Sequence, residues 1–322
     1  MKKVCVLGGG AWGTAFANLL AKNGCMVKLW CHEVNVVCQI NTTNINQTFL
    51  PDITLSKNIQ ATTSLKDALQ DAGYVFQAVP VQFLRSVLQS CKKFITKQQV
   101  LVSLSKGIEN KTLLLPSQIV DDVFDFSPRK VAISGPSFAK DLATKCITSF
   151  DVASSDISLA NNVAGLVKND YCFPTVVDDF VGVQVGGACK NVLALLMGIL
   201  DGAGCSDNTK VFIFMHCLEE IKLINNSFGA KEKTLYGLSG LGDIFLTCLG
   251  KHSRNLFVGR QIAQGKKIAE IIDDKNFVPE GINTTKSLYQ FAQQNNLKVK
   301  IISATYEIIF EEKDFDISNF VK

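Results

Sequence analysis

Lys190 is the only charged residue between Asp179 and Asp201, within the apolar, glycine-rich stretch VGVQVGGACKNVLALLMGIL. A buried ammonium group without a partner is costly, so such a lysine is usually snorkelling, paired or functional. Asn191 follows it and supplies both a hydrogen-bond donor and an acceptor. This pair is therefore a candidate for acid–base chemistry.

Small residues surround Lys190 on the predicted helix. At a helical spacing of four, the same face carries Gly186, Ala194 and Gly198. Such small residues allow another backbone or a ligand to come close.

A second group of polar residues lies in GLSGLGDIFLTCLGKHSRN. Gly240 and Gly242 predict a turn, and Asp243 is expected to cap the helix that follows. Thr247 lies four residues on, over the same face as Asp243.

A polar loop is expected after Gly250, containing Ser253, Arg254 and Asn255. A guanidinium fork matches phosphate geometry, so these residues form a candidate phosphate clamp. The alternative is a solvated surface loop.

The first thirty residues predict the element that binds a dinucleotide. Residues 3–7 form a buried-type strand, and Gly8, Gly10 and Gly13 then give G-x-G-x-x-G before a helix and a second strand at 26–30. The first glycine makes the tight turn, the second admits a pyrophosphate, and the third lets the helix pack on the strand. The amides at the helix N-terminus would bind the phosphates.

The second strand ends in WCHE, which leaves the choice between NAD and NADP open. Glu33 could accept from a ribose 2′-hydroxyl, whereas His32 could lie beside a 2′-phosphate. Two exposed polar residues after a strand would look the same.

Further strands end at Val79–Pro80, Ser105–Lys106–Gly107 and Ser134–Gly135–Pro136, separated by helical stretches. This alternation predicts a parallel, doubly wound α/β Rossmann sheet, with ligands at the carboxyl ends of its strands. Lys106 falls at such an end. From about residue 181 the pattern becomes helical, including 209–229, so we expect a dinucleotide-binding domain at 1–180 and an all-α substrate domain at 181–322.

Composition favours a cytoplasmic enzyme for a small molecule. The chain has 322 residues, of which 47% are hydrophobic and 19% are charged, and its net charge is +4. It contains no basic block of the kind that binds nucleic acid. We also expect no apolar run long enough to span a membrane. Its 11 cysteines lack metal spacing and indicate reduced thiols, and three histidines supply a metal site or a triad poorly, so we expect no metal. We expect no signal peptide before the first strand.

Several segments together resemble the NAD(P)-dependent glycerol-3-phosphate dehydrogenase family over nearly the whole chain. They are GGGAWGTAFA, SKGIE, SGPSFAK, GVQVGGACKN, GCSDNTK, GLGDIFLTC, SRN and VPEG. The resemblance implies a Rossmann domain, a helical C-terminal domain and a homodimer. It also implies that dihydroxyacetone phosphate and sn-glycerol 3-phosphate are interconverted for phospholipid synthesis.

The resemblance also implies roles for individual residues. Lys190 is expected to transfer the proton, with Lys106 beside it at the substrate and the cofactor, and with Asp243 orienting the Lys190 ammonium. Substrate positions would be Gly135, Ser137, Asn191, Asp243, Thr247, Ser253, Arg254 and Asn255. Cofactor positions, for NADP or NAD, would be Gly8, Gly10, Ala11, Trp12, Gly13, His32, Ala139, Arg254, Val278 and Glu280.

Three departures from the family pattern stand out. Cys189 replaces a more usual leucine, Cys205–Ser206 replaces a bulkier pair, and WCHE lacks the arginine of many NADP-using members. Two other functions fit parts of the pattern: a 2- or 3-hydroxy-acid dehydrogenase, and a nicotinamide-binding regulator without chemistry. The GLGD and SRN motifs favour a phosphate over a carboxylate, and the two lysines with Asp243 favour an enzyme.

Overall fold

The computed structural model describes residues 1–250, 253–273 and 280–321. The chain forms two compact units. The first comprises Met1–Ser105 and Pro116–Phe180, and the second comprises Lys106–Leu115 and Val181–Lys322.

The first unit is built on an eight-stranded sheet in the order β3-β2-β1-β4-β5-β6-β7-β8. The first six positions follow the arrangement of dinucleotide-binding folds. All neighbouring strands are parallel except β6 and β7, so the expectation of a parallel sheet fails at that one pairing. The strands are β1 Lys3–Leu7, β2 Met26–Trp30, β3 Ile59–Thr62, β4 Tyr74–Gln77, β5 Val100–Ser103, β6 Arg129–Ser134, β7 Thr148–Ala153 and β8 Cys172–Val177.

Seven helices accompany these strands. They are α1 Ala11–Lys22, α2 Val34–Thr43, α3 Leu65–Leu69, α4 Val81–Cys91, α5 Pro116–Val123, α6 Ala139–Ala143 and α7 Ile157–Val167. The core of this unit contains the apolar face of α1 and side chains such as Val6, Phe76 and Val102 from three adjacent strands. Burial on both sides of the sheet explains why its strands read as continuous apolar runs.

The second unit is helical in its described residues. Its elements are α8 Phe180–Gly202, α9 Asp207–Ser227, α10 Glu232–Leu235, a π-helical turn Leu238–Gly242, α11 Asp243–Leu249, α12 Arg254–Ala263, α13 Ile268–Asp273, α14 Glu280–Gln294, α15 Lys300–Phe310 and α16 Ser318–Val321. The α/β Rossmann and all-α fold classes predicted from the sequence are confirmed.

Residues 106–115 belong to the second unit, whereas the sequence placed them within a continuous domain 1–180. Ile108, Leu113 and Leu115 are buried with residues of α8 such as Val185. The hydroxyl of Ser287 on α14 donates to the carbonyl of Ile108. Apolar burial therefore assigns this segment to the helical unit, although it follows β5 directly.

Helix α8 has 23 residues and is long and apolar enough to span a membrane, contrary to the expectation that no run approached that length. However, 89% of its most apolar 18-residue window is buried inside the protein. Its composition is that of a core helix, which explains why it is hydrophobic on all sides.

The small residues of α8 make room for the backbones of neighbouring elements. A Cβ on Gly186 would lie 2.5 Å from the carbonyl oxygen of Ser239, and one on Gly198 would lie 2.2 Å from that of Leu256. The sequence allowed either a backbone or a ligand to come close to these small residues, and at Gly186 and Gly198 it is a backbone. Lys190 is thereby held between two close helix contacts.

Two of the departures from the family pattern have structural roles. Ser206 is the N-cap of α9, where its hydroxyl accepts from the amide of Thr209. At the other end, Gly229 follows this helix with φ +75°, as the predicted helix end at a glycine suggested. Cys189 is fully buried in the core of the second unit, and this burial raises the pKa of its thiol to about 12.

Candidate active site

Two lysines share one buried carboxylate in the second unit. Lys190 Nζ lies 2.7 Å from Asp243 Oδ1, and Lys106 Nζ lies 2.5 Å from Asp243 Oδ2. The Asp243 side chain is 0% exposed, whereas the two lysines retain 12% and 13% exposure. The carboxylate therefore fixes two ammonium groups side by side, each still within reach of a small molecule.

Asp243 is the first residue of α11, and Gly242 precedes the helix as its N-cap. The prediction that Asp243 caps this helix is therefore wrong, because its carboxylate is used by the two lysines. The hydroxyl of Thr247 donates to the backbone carbonyl of Asp243 at 2.7 Å, as their shared face suggested. The π-helical turn before α11 packs against Gly186, which brings Asp243 close to the middle of α8.

Burial lowers the pKa of Lys106 from 10.5 to about 8. The Asp243 carboxylate acts in the opposite direction, and the positive charge of Lys190 adds to the lowering. A lysine with such a pKa exchanges its proton near neutral pH, which suits acid–base chemistry.

Asn191 and Asn255 link three helices beside the lysines. Asn255 Nδ2 donates to Asn191 Oδ1 at 2.9 Å, and Asn255 Oδ1 accepts from the amide of Gly281 at 3.1 Å. Asn191 Nδ2 lies 3.5 Å from Glu280 Oε2. A Cβ on Gly281 would approach Asn255 Oδ1 to 2.7 Å, so the start of α14 is closely fitted to α8 and α12.

Glu280 brings a second carboxylate to this cluster. Burial raises its pKa, while the positive charges of Lys190, Arg254 and Lys106 oppose that change. Three cations and two carboxylates thus meet within one helical unit, and this surplus of positive charge suits an anionic substrate.

The predicted polar loop is instead the beginning of a helix. Ser253 is the N-cap of α12, with its hydroxyl accepting from the amide of Leu256, and Arg254 and Asn255 form the first turn. An amide-rich helix N-terminus beside an exposed arginine remains a suitable place for a phosphate.

The glycine turn of the first unit has the geometry that its motif predicts. Gly8 has φ +115°, and its Cβ would lie 2.6 Å from the carbonyl oxygen of Ala78. A Cβ on Gly13 would lie 1.9 Å from the Gly8 carbonyl oxygen, whereas one on Gly10 would meet nothing within 4 Å in the described structure. The turn is tight at its first and third glycines and open at the second, where α1 begins.

Known proteins share this combination of units. A family model described as NAD-dependent glycerol-3-phosphate dehydrogenase N-terminus matches residues 3–160, and one described as NAD-dependent glycerol-3-phosphate dehydrogenase C-terminus matches residues 179–318. The chain belongs to the NAD-dependent glycerol-3-phosphate dehydrogenase family. The predicted family, enzyme class, reaction and use of NAD or NADP are confirmed.

Individual relatives match over almost the full length. Glycerol-3-phosphate dehydrogenase (NAD(P)+) of Bacillus subtilis is 38% identical over 312 residues, which cover 96% of this chain and 90% of that protein. The crystal structure of glycerol-3-phosphate dehydrogenase from Coxiella burnetii matches with a TM-score of 0.93 at 27% identity, covering 97% and 96% of the two chains. The corresponding Plasmodium falciparum structure matches with a TM-score of 0.90 at 25% identity, over 99% and 94%.

Several further cofactor positions implied by the dehydrogenase family lie in the first unit. Ala11 and Trp12 form the first turn of α1, and the Trp12 ring packs against Phe16. His32 is exposed after β2, with Trp30 at its edge, and Glu33 is the N-cap of α2. Val278 lies outside the described residues.

The segment after β6 carries the other predicted contacts. A Cβ on Gly135 would lie 2.6 Å from Phe150 Cα, so only glycine fits there. Ser137 donates from its hydroxyl to the Gly135 carbonyl, and Ala139 begins α6.

Sequence reasoning did not single out Asn46, which contacts the glycine turn from residues between α2 and β3. Only the mixture of polar residues in 41–48 distinguishes this region, and that pattern is typical of an ordinary loop.

Proposed function

We propose that Lys190 is the proton donor of a dihydroxyacetone phosphate reductase and that Asp243 holds it in place. The observation that carries this proposal is the single buried carboxylate shared by Lys190 and Lys106. Negative charge develops on the C2 oxygen of the ketone as it is reduced, and a positioned ammonium group stabilises that charge. Lys190 gives its proton to this oxygen, and the alcohol sn-glycerol 3-phosphate forms.

The residues present fit a nicotinamide dinucleotide. The open side of Gly10, the tight turn at Gly8 and the amides at the start of α1 would hold its pyrophosphate. Trp12, His32, Ala139 and Glu280 are the further cofactor positions that the family resemblance supports. When bound, NADH or NADPH supplies the hydride.

The substrate phosphate is assigned to the N-terminus of α12. Arg254 and the amides that follow Ser253 provide cationic and neutral donors there, and Asn255 is held at the same turn by Asn191 and Gly281. Lys106 is proposed both to contact the substrate and to relay a proton, for which its lowered pKa is suitable. Gly135, Ser137 and Thr247 complete the proposed substrate positions.

Replacing Lys190 tests the proton-donor role. We expect Lys190→Ala to lower kcat by roughly 10²–10⁴-fold, the usual contribution of general acid catalysis, with the Kd for NADH changed less than about twofold. Added methylamine should restore part of the turnover. Lys210→Ala is the matched control, because Lys210 is a half-buried lysine paired with Asp201 on a different part of the same unit. Lys190→Ala with more than a tenth of wild-type kcat would exclude the assignment.

Separate assays of NADPH and NADH oxidation with dihydroxyacetone phosphate decide the cofactor preference. An exposed His32 beside a half-buried Glu33 suits both cofactors. Activity with neither would contradict the reaction itself.

We also propose that this enzyme is a cytoplasmic homodimer that supplies glycerol phosphate for phospholipid synthesis, as the family resemblance implies. All eleven cysteines lie in the described parts of the chain as free thiols, which suits a reducing compartment. Helix α9 exposes Val211, Phe212 and Met215 on one face, an apolar surface that a second subunit could cover. Sedimentation velocity of the wild type and Met215→Lys tests the dimer.

A further inference from the structure

Asn46 is a fully buried polar residue whose side-chain nitrogen and oxygen both have hydrogen-bond partners. Its Nδ2 donates to the Gly9 carbonyl and to Thr14 Oγ1, both at 2.8 Å. Its Oδ1 accepts from the amide of Phe49 at 3.1 Å. The amide orientation is fixed, because the reverse orientation would place Oδ1 against the carbonyl oxygen of Gly9.

The Gly9 carbonyl receives a second donor from the same network. Thr14 Oγ1 donates to it at 3.1 Å, so Asn46 and Thr14 hold this oxygen between the α2–β3 segment and α1. Gly9 also packs closely against Cys31, since a Cβ on Gly9 would lie 2.4 Å from Cys31 Sγ. The Gly9–Gly10 peptide therefore has no freedom to turn over.

This restraint also fixes the direction of a hydrogen-bond donor, the Gly10 N–H. In a trans peptide the C=O of one residue and the N–H of the next point in opposite directions. Because the Gly9 carbonyl is directed at Asn46, the Gly10 N–H is directed away from it. Of the glycines in this turn, Gly10 is the one at which a Cβ would meet nothing within 4 Å in the described structure.

We propose that Asn46 is a positioning residue for the cofactor pyrophosphate, acting through the Gly9–Gly10 peptide. It presents the Gly10 amide to an anionic oxygen in line with the amides at the start of α1. This proposal rests on the placement of the dinucleotide at the glycine turn. Asn46 itself does not touch the cofactor, and it acts before the chemical step.

A purely structural role requires a matched control, because Asn46 also anchors residues 44–58. Asn18 on α1 is similarly buried, and its Oδ1 accepts from the amide of Ser56 at 2.9 Å. It ties the same segment to α1, and its hydrogen bond goes to Ser56 and not to the glycine turn. Asn18→Ala therefore reports the effect of loosening the segment.

The test measures binding of NADH and of ADP-ribose, which carries the pyrophosphate without the nicotinamide. Asn46→Asp keeps the acceptor for Phe49 and replaces the donor to Gly9 with a carboxylate oxygen. We expect it to raise both Kd values by about 10-fold or more, as loss of one hydrogen bond to an ionised group implies, with kcat at saturating NADH within about twofold of wild type. Asn18→Ala should leave both Kd values within about twofold.

Thr14 gives an independent readout if Asn46→Asp does not fold. Thr14→Val removes the second donor to Gly9 and should weaken ADP-ribose binding, whereas Thr14→Ser retains the hydroxyl and should bind normally. Equal effects of Thr14→Val and Thr14→Ser, or of Asn46→Asp and Asn18→Ala, overturn the proposal.

Gly10→Val separates this proposal from the cofactor placement on which it rests. A Cβ on Gly10 would meet nothing within 4 Å in the described protein, and the extended backbone at Gly10 (φ −68°, ψ 178°) is open to any residue, so the variant should fold. Normal NADH binding by Gly10→Val would refute the placement. Loss of binding by Gly10→Val together with unchanged binding by the Asn46 and Thr14 variants would refute only the role of Asn46.

Discussion

Replacing Lys106 with methionine should stabilise this enzyme while it removes activity. Burial lowers the pKa of Lys106 from 10.5 to about 8, so the folded protein binds this proton more weakly than the unfolded chain does. Methionine has a straight side chain of similar length and carries no charge. Asp243 would keep Lys190 as its partner.

The pKa gives the size of the effect. A change from 10.5 to about 8 corresponds to about 3 kcal/mol that the protonated lysine costs the folded state at pH 7, with the attraction to Asp243 already included. The unfolded chain binds more protons between pH 8 and 10.5, so the stability of the wild type rises across that window. The cost falls to about 2 kcal/mol at pH 9 and about 1 kcal/mol at pH 10.

Urea unfolding of the wild type and Lys106→Met at pH 7, 9 and 10 measures this difference, since other titrating groups cancel in the comparison. We expect the variant to be more stable by 1 kcal/mol or more at pH 7, with an advantage that shrinks toward pH 10, and to have little turnover. Lys210→Met is the control of opposite sign, because hydrogen bonds to Asp207 and Asp201 raise the pKa of Lys210. A variant of Lys106 that is less stable than the wild type at pH 7, with no change across the pH series, would refute the reasoning.

Two further predictions concern stability. Glu220→Ala should lower the free energy of unfolding by about 2–3 kcal/mol in urea titrations, because the buried carboxylate accepts from the amides of Ile301 and Ile302 at the start of α15. Glu220→Gln keeps one acceptor oxygen and should lose less stability. Equal losses in the two variants would contradict this capping role. Gly198→Ala should lower the free energy of unfolding by about 1–3 kcal/mol, because its Cβ meets the Leu256 carbonyl. Gly165→Ala, at an open helical position in α7, should raise the free energy of unfolding by about 0.5–1 kcal/mol. A thermal melt that ranks the two variants in the reverse order would contradict the packing.

The dinucleotide-binding part of the fold could be predicted because its signals are local. A strand, three glycines at fixed spacing and a helix occupy adjacent residues, and β1 and β2 have the bounds that the sequence indicated. The antiparallel pairing of β6 with β7 left no such local mark. Strand direction is set by the path of the connecting chain, which the strand residues do not record.

The candidate site shows where residue types alone reach their limit. Lys190 stood out because its neighbours are apolar, but the partner that neutralises it lies 53 residues away in Asp243. An aspartate at the start of a helix looks the same in sequence whether it caps that helix or binds a lysine. Asn46 had no distinguishing pattern, because its importance comes from the backbone oxygen that it contacts.

The assignment of residues 106–115 to the second unit has a consequence for synthesis. Ser287, which binds the carbonyl of Ile108, follows it by 179 residues. At about 5–20 residues per second, a ribosome needs on the order of 10–40 s to deliver that partner. Meanwhile Ile108, Leu113 and Leu115 lack the helices that later bury them. A chain that ends at residue 180 would therefore expose an apolar segment between β5 and β6. A chaperone that binds exposed apolar segments would bind there.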